Sequence, residues 1–301
     1  MTAYIDYDEG KAANLFLDFY ANSANNLESK DIMYARLQDQ EAYDKWHLAW
    51  YVSEILDIHD LRKSGKLNFS DIPRKEKNLI VFLLLEAFER PASLLELGCA
   101  MFEMIDGIEF AQNVFQSKGY NIKNNILDRT EFYSIEMSRM MRSGAERLHP
   151  TIPIGFFNNI TELNRRFDLI YDRNVTSAAV NTVKELVDFM SQGEVGFHNL
   201  YVCKDETFNS MCMGRSLTYF HLDEIIQRLD KPLYHLFGRK GLGPGTENFD
   251  PALGRVVIEG FFLCADKNFA EHWFNKALSY PEVRIWFEEK GITLKLASKI
   301  W

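Results

Sequence analysis

Apolar residues recur every three or four positions over the first part of the chain, up to Glu89. This periodicity is typical of amphipathic helices, and no segment there has the alternation of a strand. The clearest segment carries an aromatic stripe, Tyr43, Trp46, Trp50 and Tyr51. Such a stripe packs in a core or lines a pocket, and its spacing allows both. The pattern therefore predicts an N-terminal helical cap over residues 1–89.

From residue 90 onward the pattern changes to short apolar runs separated by helical periodicity, which is typical of a parallel sheet with crossover helices. The runs predicted as strands are 93–97, 132–135, 152–157, 167–171, 197–202, 233–237 and 256–264. A glycine-rich segment, 238–254, joins the last two and is too rich in glycine for a helix. We predict an α/β domain over 90–265, with a seven-stranded, mostly parallel sheet and a C-terminal antiparallel hairpin, followed by a helical extension over 266–301.

The first predicted strand ends in a glycine turn, Glu96-Leu97-Gly98-Cys99-Ala100. Glycine lets a backbone turn sharply and approach a ligand that would collide with a side chain. Glu96 is suited to accept a hydrogen bond from the amino group of a cationic ligand. The helix that follows would offer its amino end to a carboxylate. This segment is the first candidate binding site.

Polar side chains also follow the next three predicted strands: Glu136 the second, Asn158 and Asn159 the third, and Asp172 the fourth. Open α/β sheets bind ligands at the carboxyl ends of their strands. A carboxylate at 136 could accept both hydroxyls of a ribose. It lies farther from Gly98 than the roughly 20 residues of the dinucleotide fingerprint, so an inserted surface loop is expected.

The glycine turn resembles the first motif, acidic-x-Gly-x-Gly-x-Gly, of the class I S-adenosylmethionine-dependent methyltransferases, with Glu96 and Gly98 in place. Ala100 and Phe102 stand where the family has its second and third glycines. Phe102 predicts a loop that either takes a wider path or packs differently against the helix. The run Phe-Asp-Leu-Ile at 167–170 is similar to the family's fourth motif.

The resemblance implies a Rossmann-like fold, S-adenosylmethionine as the cofactor and S-adenosylhomocysteine as the product. It implies contacts to the cofactor from eight residues: Glu96, Gly98, Cys99, Ala100, Glu136, Asn158, Asn159 and Asp172. In the family, an acidic or amide side chain after the third strand contacts the adenine amino group, and either asparagine could do so.

Methyl transfer mainly needs alignment of acceptor, methyl and sulfur, but a hydroxyl acceptor also needs a base. His221 is the first candidate, because the connection 204–220 should lie over the site, although it could simply flank the next helix. Asp172 is a competing base. With Asp205 it could hold a divalent metal, but a third ligand is missing, so no metal is predicted. His198 is expected at the opposite edge of the sheet, in a structural role.

The sequence lacks the Asn-Pro-Pro-Tyr tetrapeptide of relatives that methylate amide or base nitrogens. We therefore favour methylation of a small molecule, most of all O-methylation of a sugar or a biosynthetic intermediate. Two alternatives remain open. A nicotinamide-dependent oxidoreductase shares the strand, turn and carboxylate but predicts a more complete glycine fingerprint. A non-catalytic methyltransferase-like binding module would explain the altered glycine positions.

The composition indicates which kinds of partner and which compartment the protein is expected to have. The 43 acidic and 34 basic residues give a net charge of −9, which disfavours nucleic acid. The four cysteines are dispersed, with no Cys-x-x-Cys pair, which indicates reduced thiols. No apolar run approaches the roughly 20 residues of a membrane span, and the acidic start is unlike a signal peptide. We expect a cytoplasmic protein without membrane contact. The oligomeric state is left open, with a homodimer among the options.

Overall fold

The structure is a computed structural model. It describes residues 61, 64–65, 67–100, 102–122, 125–136, 139–173, 175–212, 215–240 and 257–301. The aromatic stripe from Tyr43 to Tyr51 and most of the glycine-rich segment 238–254 lie outside the described residues. The chain divides into two compact units. The first contains the described residues up to Phe82 and the segment Cys99–Asn159, and the second contains Leu83–Gly98 and Ile160–Trp301.

The described residues form eight α-helices and ten β-strands. The helices are α1 (Asn78–Phe88), α2 (Met104–Ser117), α3 (Arg139–Leu148), α4 (Val175–Ala179), α5 (Val183–Met190), α6 (Leu222–Arg228), α7 (Lys267–Leu278) and α8 (Pro281–Lys290). The strands are β1 (Ala92–Leu97), β2 (Thr130–Ile135), β3 (Ile154–Phe157), β4 (Phe167–Arg173), β5 (Gly193–Cys203), β6 (Phe208–Cys212), β7 (Arg215–His221), β8 (Leu233–Lys240), β9 (Val257–Cys264) and β10 (Lys295–Leu296).

In the first unit, β2 and β3 pair in parallel, from Phe132 opposite Ile154 to Ile135 opposite Phe157. Helix α2 buries an apolar face, and its end is fixed by a left-handed glycine, Gly119, with φ of 82°. The amide of Tyr120 returns to the carbonyl of Phe115 (3.2 Å), and their rings lie 5.6 Å apart. This is the Schellman arrangement of a helix end with its hydrophobic contact, and it stops the helix before β2.

In the second unit, β4 lies between β1 and β5, and both pairs are parallel. Strand β9 pairs antiparallel with β5, and β8 pairs antiparallel with β9, which confirms the predicted closing hairpin. Parallel neighbours that are not consecutive in the chain require crossover helices. Together with the parallel β2 and β3 of the first unit, this topology confirms the predicted Rossmann-like α/β fold with a mostly parallel sheet.

The strand count differs from the predicted seven. Residues 204–220, expected to be a connection, contain the antiparallel hairpin of β6 and β7, and β7 also pairs in parallel with the carboxyl end of β5. The hairpin is stabilised by stacking of Phe208 on Tyr219, with ring centroids 4.8 Å apart. Two-residue β10 adds to β8. Strand β5 begins at Gly193, four residues before the predicted start.

Residues at the N-terminal ends of helices in the second unit explain where these helices begin. Thr182 and Glu185 form a capping box at the start of α5, and Asp266 caps α7 through the amide of Phe269. Pro281 opens α8, where the missing N–H is tolerated. The core packs α5 and α6 against β5, β7 and β9. In the described parts of the chain, no helix is both long and apolar enough to cross a bilayer.

Candidate functional site

The turn after β1 has a glycine-like backbone at all three motif positions. The φ angles are 65° at Gly98, 50° at Ala100 and 60° at Phe102. The left-handed region is open to glycine but costs other residues roughly 1–2 kcal/mol each. The amide of Phe102 donates to the carbonyl of Cys99 (2.8 Å), which keeps the turn tight. All three positions therefore have a left-handed backbone that suits glycine, although two of the residues there are not glycine.

Phe102 packs against strand β2, whereas the sequence predicted a wider loop or a different packing against the helix. Its side chain is fully buried in the first unit, and its ring meets Phe132 of β2 edge-on at 5.7 Å. Burying an aromatic ring stabilises a protein by about 2–3 kcal/mol, which is enough to offset the strain of one left-handed residue. The phenylalanine thus fixes this end of the turn onto the core of the first unit.

Glu136, directly after β2, contacts the glycine turn. The main-chain N–H of Ala100 donates to Glu136 Oε2 at 3.0 Å. The N–H of Glu136 in turn donates to the carbonyl of Phe157 at the end of β3 (3.2 Å). The carboxylate is half-buried. The side chain is therefore oriented by a main-chain donor of the same turn that the sequence singled out.

Arg142 of α3, which sequence reasoning missed, ties the ends of β2 and β3 together. Its guanidinium donates to the carbonyl of Glu136, to the carbonyl of Phe157 (3.3 Å) and to Asn158 Oδ1 (2.9 Å). The carbonyl oxygen of Asn158 thus already accepts a charged donor. The side chain of Asn159 is exposed beside it. The one available signal is an arginine early in the helix that follows a strand ending in a carboxylate.

In the second unit, Glu96 is buried near the end of β1, opposite Tyr171 of β4. Gly98 lies in the turn that follows. A Cβ built at position 98 would stand 3.0 Å from Val175 Cγ2. Glycine is thus favoured at position 98 for two reasons, its positive φ and the close approach of Val175.

Asp172, predicted to follow the fourth strand, is the second-last residue of β4 and has no exposed surface. Its Oδ1 accepts hydrogen bonds from the amides of Val175 (2.9 Å) and Thr176 (3.1 Å), so it caps the start of α4. His198, also fully buried, lies opposite in register, with Nδ1 3.7 Å from Asp172 Oδ2. The expected place of His198, at the opposite edge of the sheet, was wrong. Because β5 starts at Gly193, His198 falls in mid-strand beside the carboxyl end of β4.

His221 ends β7, opposite Cys203 at the carboxyl end of β5. Its amide donates to Thr207 Oγ1 (2.9 Å), and its side chain is half-buried. It occupies the N-cap position of α6 but makes no capping hydrogen bond with its side chain. The structure therefore places His221 at a carboxyl edge, where the sequence expected it, at the end of a hairpin rather than of an irregular connection.

Asp168, by contrast, lies at the amino edge of β4. It accepts hydrogen bonds from the amide and hydroxyl of Ser93 (2.6 and 2.7 Å) and from Arg90 (2.7 Å). Partial burial acts to raise the pKa of Asp168, but the donors at Ser93 and Arg90 outweigh it and lower the pKa below its usual value. This cluster joins β1 and β4 away from the candidate site.

In the part of the chain that the structure describes, no three His, Cys, Asp or Glu side chains are grouped so that they could hold a metal ion. Asp172 is engaged in capping, whereas Asp205, its partner in the hypothesis of a divalent site, is exposed.

Comparison with known proteins gives matches among solved structures only. The chain matches no protein-family model and no curated protein. It is similar to the N-terminal domain of EvdMO1 with S-adenosylhomocysteine bound, with 11% identity over 60% of this chain and 77% of that one, at a TM-score of 0.39.

Two further matches are methyltransferases. One is the O-methyltransferase of a trans-AT polyketide synthase multienzyme of Brevibacillus brevis, in complex with S-adenosylhomocysteine, with 13% identity over 70% of this chain and 83% of that one, at a TM-score of 0.39. The other is the sugar N-methyltransferase KedS8 from Streptoalloteichus, with 15% identity over 69% and 92%, at a TM-score of 0.38. At such low identities and TM-scores these likenesses carry no functional argument, so we argue function from the site's own residues.

Proposed function

We propose that this chain is an S-adenosylmethionine-dependent methyltransferase that acts on a small molecule. The observation that carries the proposal is the left-handed backbone at Gly98, Ala100 and Phe102. Two of these residues hold a conformation that is unfavourable for their side chains. Such strain persists where the surroundings enforce it, and it concentrates at ligand-binding sites.

The residues of the turn fit the proposed cofactor. S-Adenosylmethionine supplies an electrophilic methyl group on a sulfonium. We assign the backbone of Gly98, Cys99 and Ala100 to the close approach that glycine-type turns permit. Glu96 would accept a hydrogen bond from the ligand's amino group, directly or through water.

Glu136 is the proposed ribose ligand. A carboxylate at the end of a second strand is suited to accept two neighbouring hydroxyls. Its bond from the Ala100 amide orients the group before any ligand arrives, which reduces the entropy lost on binding. For the adenine amino group we propose the side-chain oxygen of Asn158 or Asn159 as the acceptor, the first of them held by Arg142.

His221 is the proposed general base. A hydroxyl acceptor must lose its proton during transfer, and an imidazole is suited to take it near neutral pH. His221 stands at the carboxyl edge of β5 with a half-buried side chain. Asp172, the competing base, has no exposed surface and is engaged in capping. We therefore favour O-methylation, with a sugar or a hydroxylated biosynthetic intermediate as acceptor.

The surroundings of the cysteines agree with a reducing compartment, and we propose a cytoplasmic location. Of the described cysteines, Cys99, Cys203 and Cys264 are all buried, and none forms a disulfide. Burial raises the pKa of the Cys264 thiol to about 12, which makes it unreactive.

The proposal is tested by calorimetric titration of the full chain with S-adenosylmethionine, S-adenosylhomocysteine and NAD. We expect binding of the first two and none of NAD. Binding of NAD alone would identify an oxidoreductase and overturn the proposal. If the cofactor binds, transfer of a labelled methyl group to a panel of hydroxylated sugars separates an enzyme from a binding module. His221→Gln should then lower kcat by about 10²-fold or more, with the affinity for S-adenosylhomocysteine unchanged.

A further inference from the structure

We infer that Asp172 and His198 form a buried positioning pair that sets Val175 against Gly98 and thereby fixes the shape of the cofactor turn. The inference rests on the proposed function for its consequence in binding. Its structural part concerns only residues of the second unit. It assigns Asp172 to positioning, in place of catalysis or direct cofactor contact.

The first step is the bond between Asp172 and the main chain. Oδ1 accepts from the amides of both Val175 and Thr176, the first two residues of α4. A main-chain hydrogen bond away from water is costly to lose, because its donor would be left buried without this partner. The backbone of Val175 is therefore held by the side chain of Asp172.

The second step is the confinement of Asp172 by His198. In the described residues, neither Asp172 Oδ2 nor the ring nitrogens of His198 have a hydrogen-bond partner. At 3.7 Å, Nδ1 and Oδ2 are in polar contact without a hydrogen bond. The imidazole cannot move away easily. A Cβ at Gly196 would stand 2.2 Å from its Nε2, and Phe189 packs edge-on at 6.1 Å. His198 thus fills a notch left by Gly196 and limits the rotation of Asp172.

The third step leads from Val175 to the turn. Its Cγ2 stands 3.0 Å from the position of a Cβ at Gly98, a distance that leaves little room for a side chain there. Any shift of α4 toward or away from β1 would change the space available to the Gly98 turn. Asp172 therefore acts on the turn through Val175 without touching it.

The test compares variants of the full chain by titration with S-adenosylhomocysteine and by thermal unfolding. Asp172→Ala removes the cap and should weaken binding about tenfold. Asp172→Asn keeps an oxygen acceptor at Oδ1 and should stay within about threefold of the wild type. Rescue by asparagine separates capping from a requirement for charge. If asparagine binds as weakly as alanine, the inference is wrong.

Val175→Ala tests the contact with Gly98, and Val187→Ala in α5 is its control. Both remove the same two methyl groups, but Val187 belongs to the core cluster that includes α5, whereas the atom that a Cβ at Gly98 would meet belongs to Val175. We expect Val175→Ala to weaken binding about threefold to tenfold and Val187→Ala to lower Tm with the Kd unchanged. Equal Kd values for the two variants would overturn the inference.

A double-mutant cycle on stability keeps the test independent of the ligand. Gly98→Ala should lower Tm, and its loss should be smaller in the Val175→Ala background, where the Cβ has room. Additive losses would refute the contact. If the wild type binds no S-adenosylhomocysteine, the proposed function fails, and this cycle still decides whether Val175 shapes the turn. The cycle also tests the contact between Val175 and Gly98 if Asp172→Ala does not fold.

Discussion

The amide of Ala100 donates a 3.0 Å hydrogen bond to the carboxylate of Glu136. Ala100 is a non-glycine residue held at positive φ in this turn, and the bond is one reason that the strained conformation persists. The same carboxylate is the proposed ribose ligand. Strain in the turn and orientation of the carboxylate are therefore linked, and a change in either should be measurable in the other.

Ala100→Gly should stabilise the protein. Glycine removes the left-handed strain of roughly 1–2 kcal/mol, while its greater freedom in the unfolded chain takes back about 0.4–1 kcal/mol. The net gain in the free energy of unfolding should be up to about 1 kcal/mol, measured by urea denaturation. Ala178→Gly, at an exposed helical position of α4, should instead destabilise by about 1 kcal/mol. A loss at position 100 as large as at 178 would refute the strain.

Arg142→Met should loosen the ends of β2 and β3. It removes three donors to Glu136, Phe157 and Asn158, and a hydrogen bond from a charged group contributes about 1.5–3 kcal/mol. We expect a loss of about 2 kcal/mol in unfolding free energy, together with weaker binding of S-adenosylhomocysteine. Arg147→Met, at an exposed position of the same helix, should change neither. The account of this arginine fails if the two variants behave alike.

Glu103→Ala should be strongly destabilising. The carboxylate is buried beside Lys77 Nζ (2.6 Å) and Arg74 Nη1 (3.5 Å), and its removal leaves the buried lysine without this partner. Removing one member of a buried pair typically costs about 3–5 kcal/mol. Glu146→Ala, at an exposed position of α3, should stay within about 0.5 kcal/mol of the wild type. Similar stabilities in chemical denaturation would show that the pair does not anchor α2.

Stability should fall as the pH drops below about 6.5, because of His235. Burial, with a smaller effect of Lys295, lowers the pKa of His235 to about 4. Between these values the unfolded chain binds a proton that the folded chain does not, so acid favours unfolding. After allowance for partial exposure, the effect should be on the order of 1 kcal/mol. His235→Gln should flatten the profile between pH 6.5 and 4, and an unchanged slope would exclude His235 as its source.

The sequence predicted those features of the site that depend on residues close together in the chain. An apolar strand, Gly98 and the carboxylate of Glu136 are read directly from neighbouring residues. Arg142 was missed because its acceptors are main-chain carbonyls and an amide more distant in the chain, which only folding brings together. His198 was misplaced because the start of β5, at Gly193, depends on pairing with β4. The alternation of Ser216-Leu217-Thr218-Tyr219 was an available signal for β7.

Retention of the turn despite Ala100 and Phe102 also could not be predicted from the sequence. Motif comparison registers two lost glycines, whereas backbone angles depend on packing. Phe102 packs against Phe132 in the core of the first unit. This contact joins residues that are distant in the chain, so the sequence alone could not show it.

We propose that the turn and Glu136 bind S-adenosylmethionine. Calorimetric titration of three proteins with S-adenosylhomocysteine tests this binding. The wild type should bind, Glu136→Ala should lose about tenfold or more in affinity, and Glu131→Ala, an exposed carboxylate on the same strand, should bind like the wild type. No heat of binding to the wild type, or equal affinities for the two variants, would contradict the account.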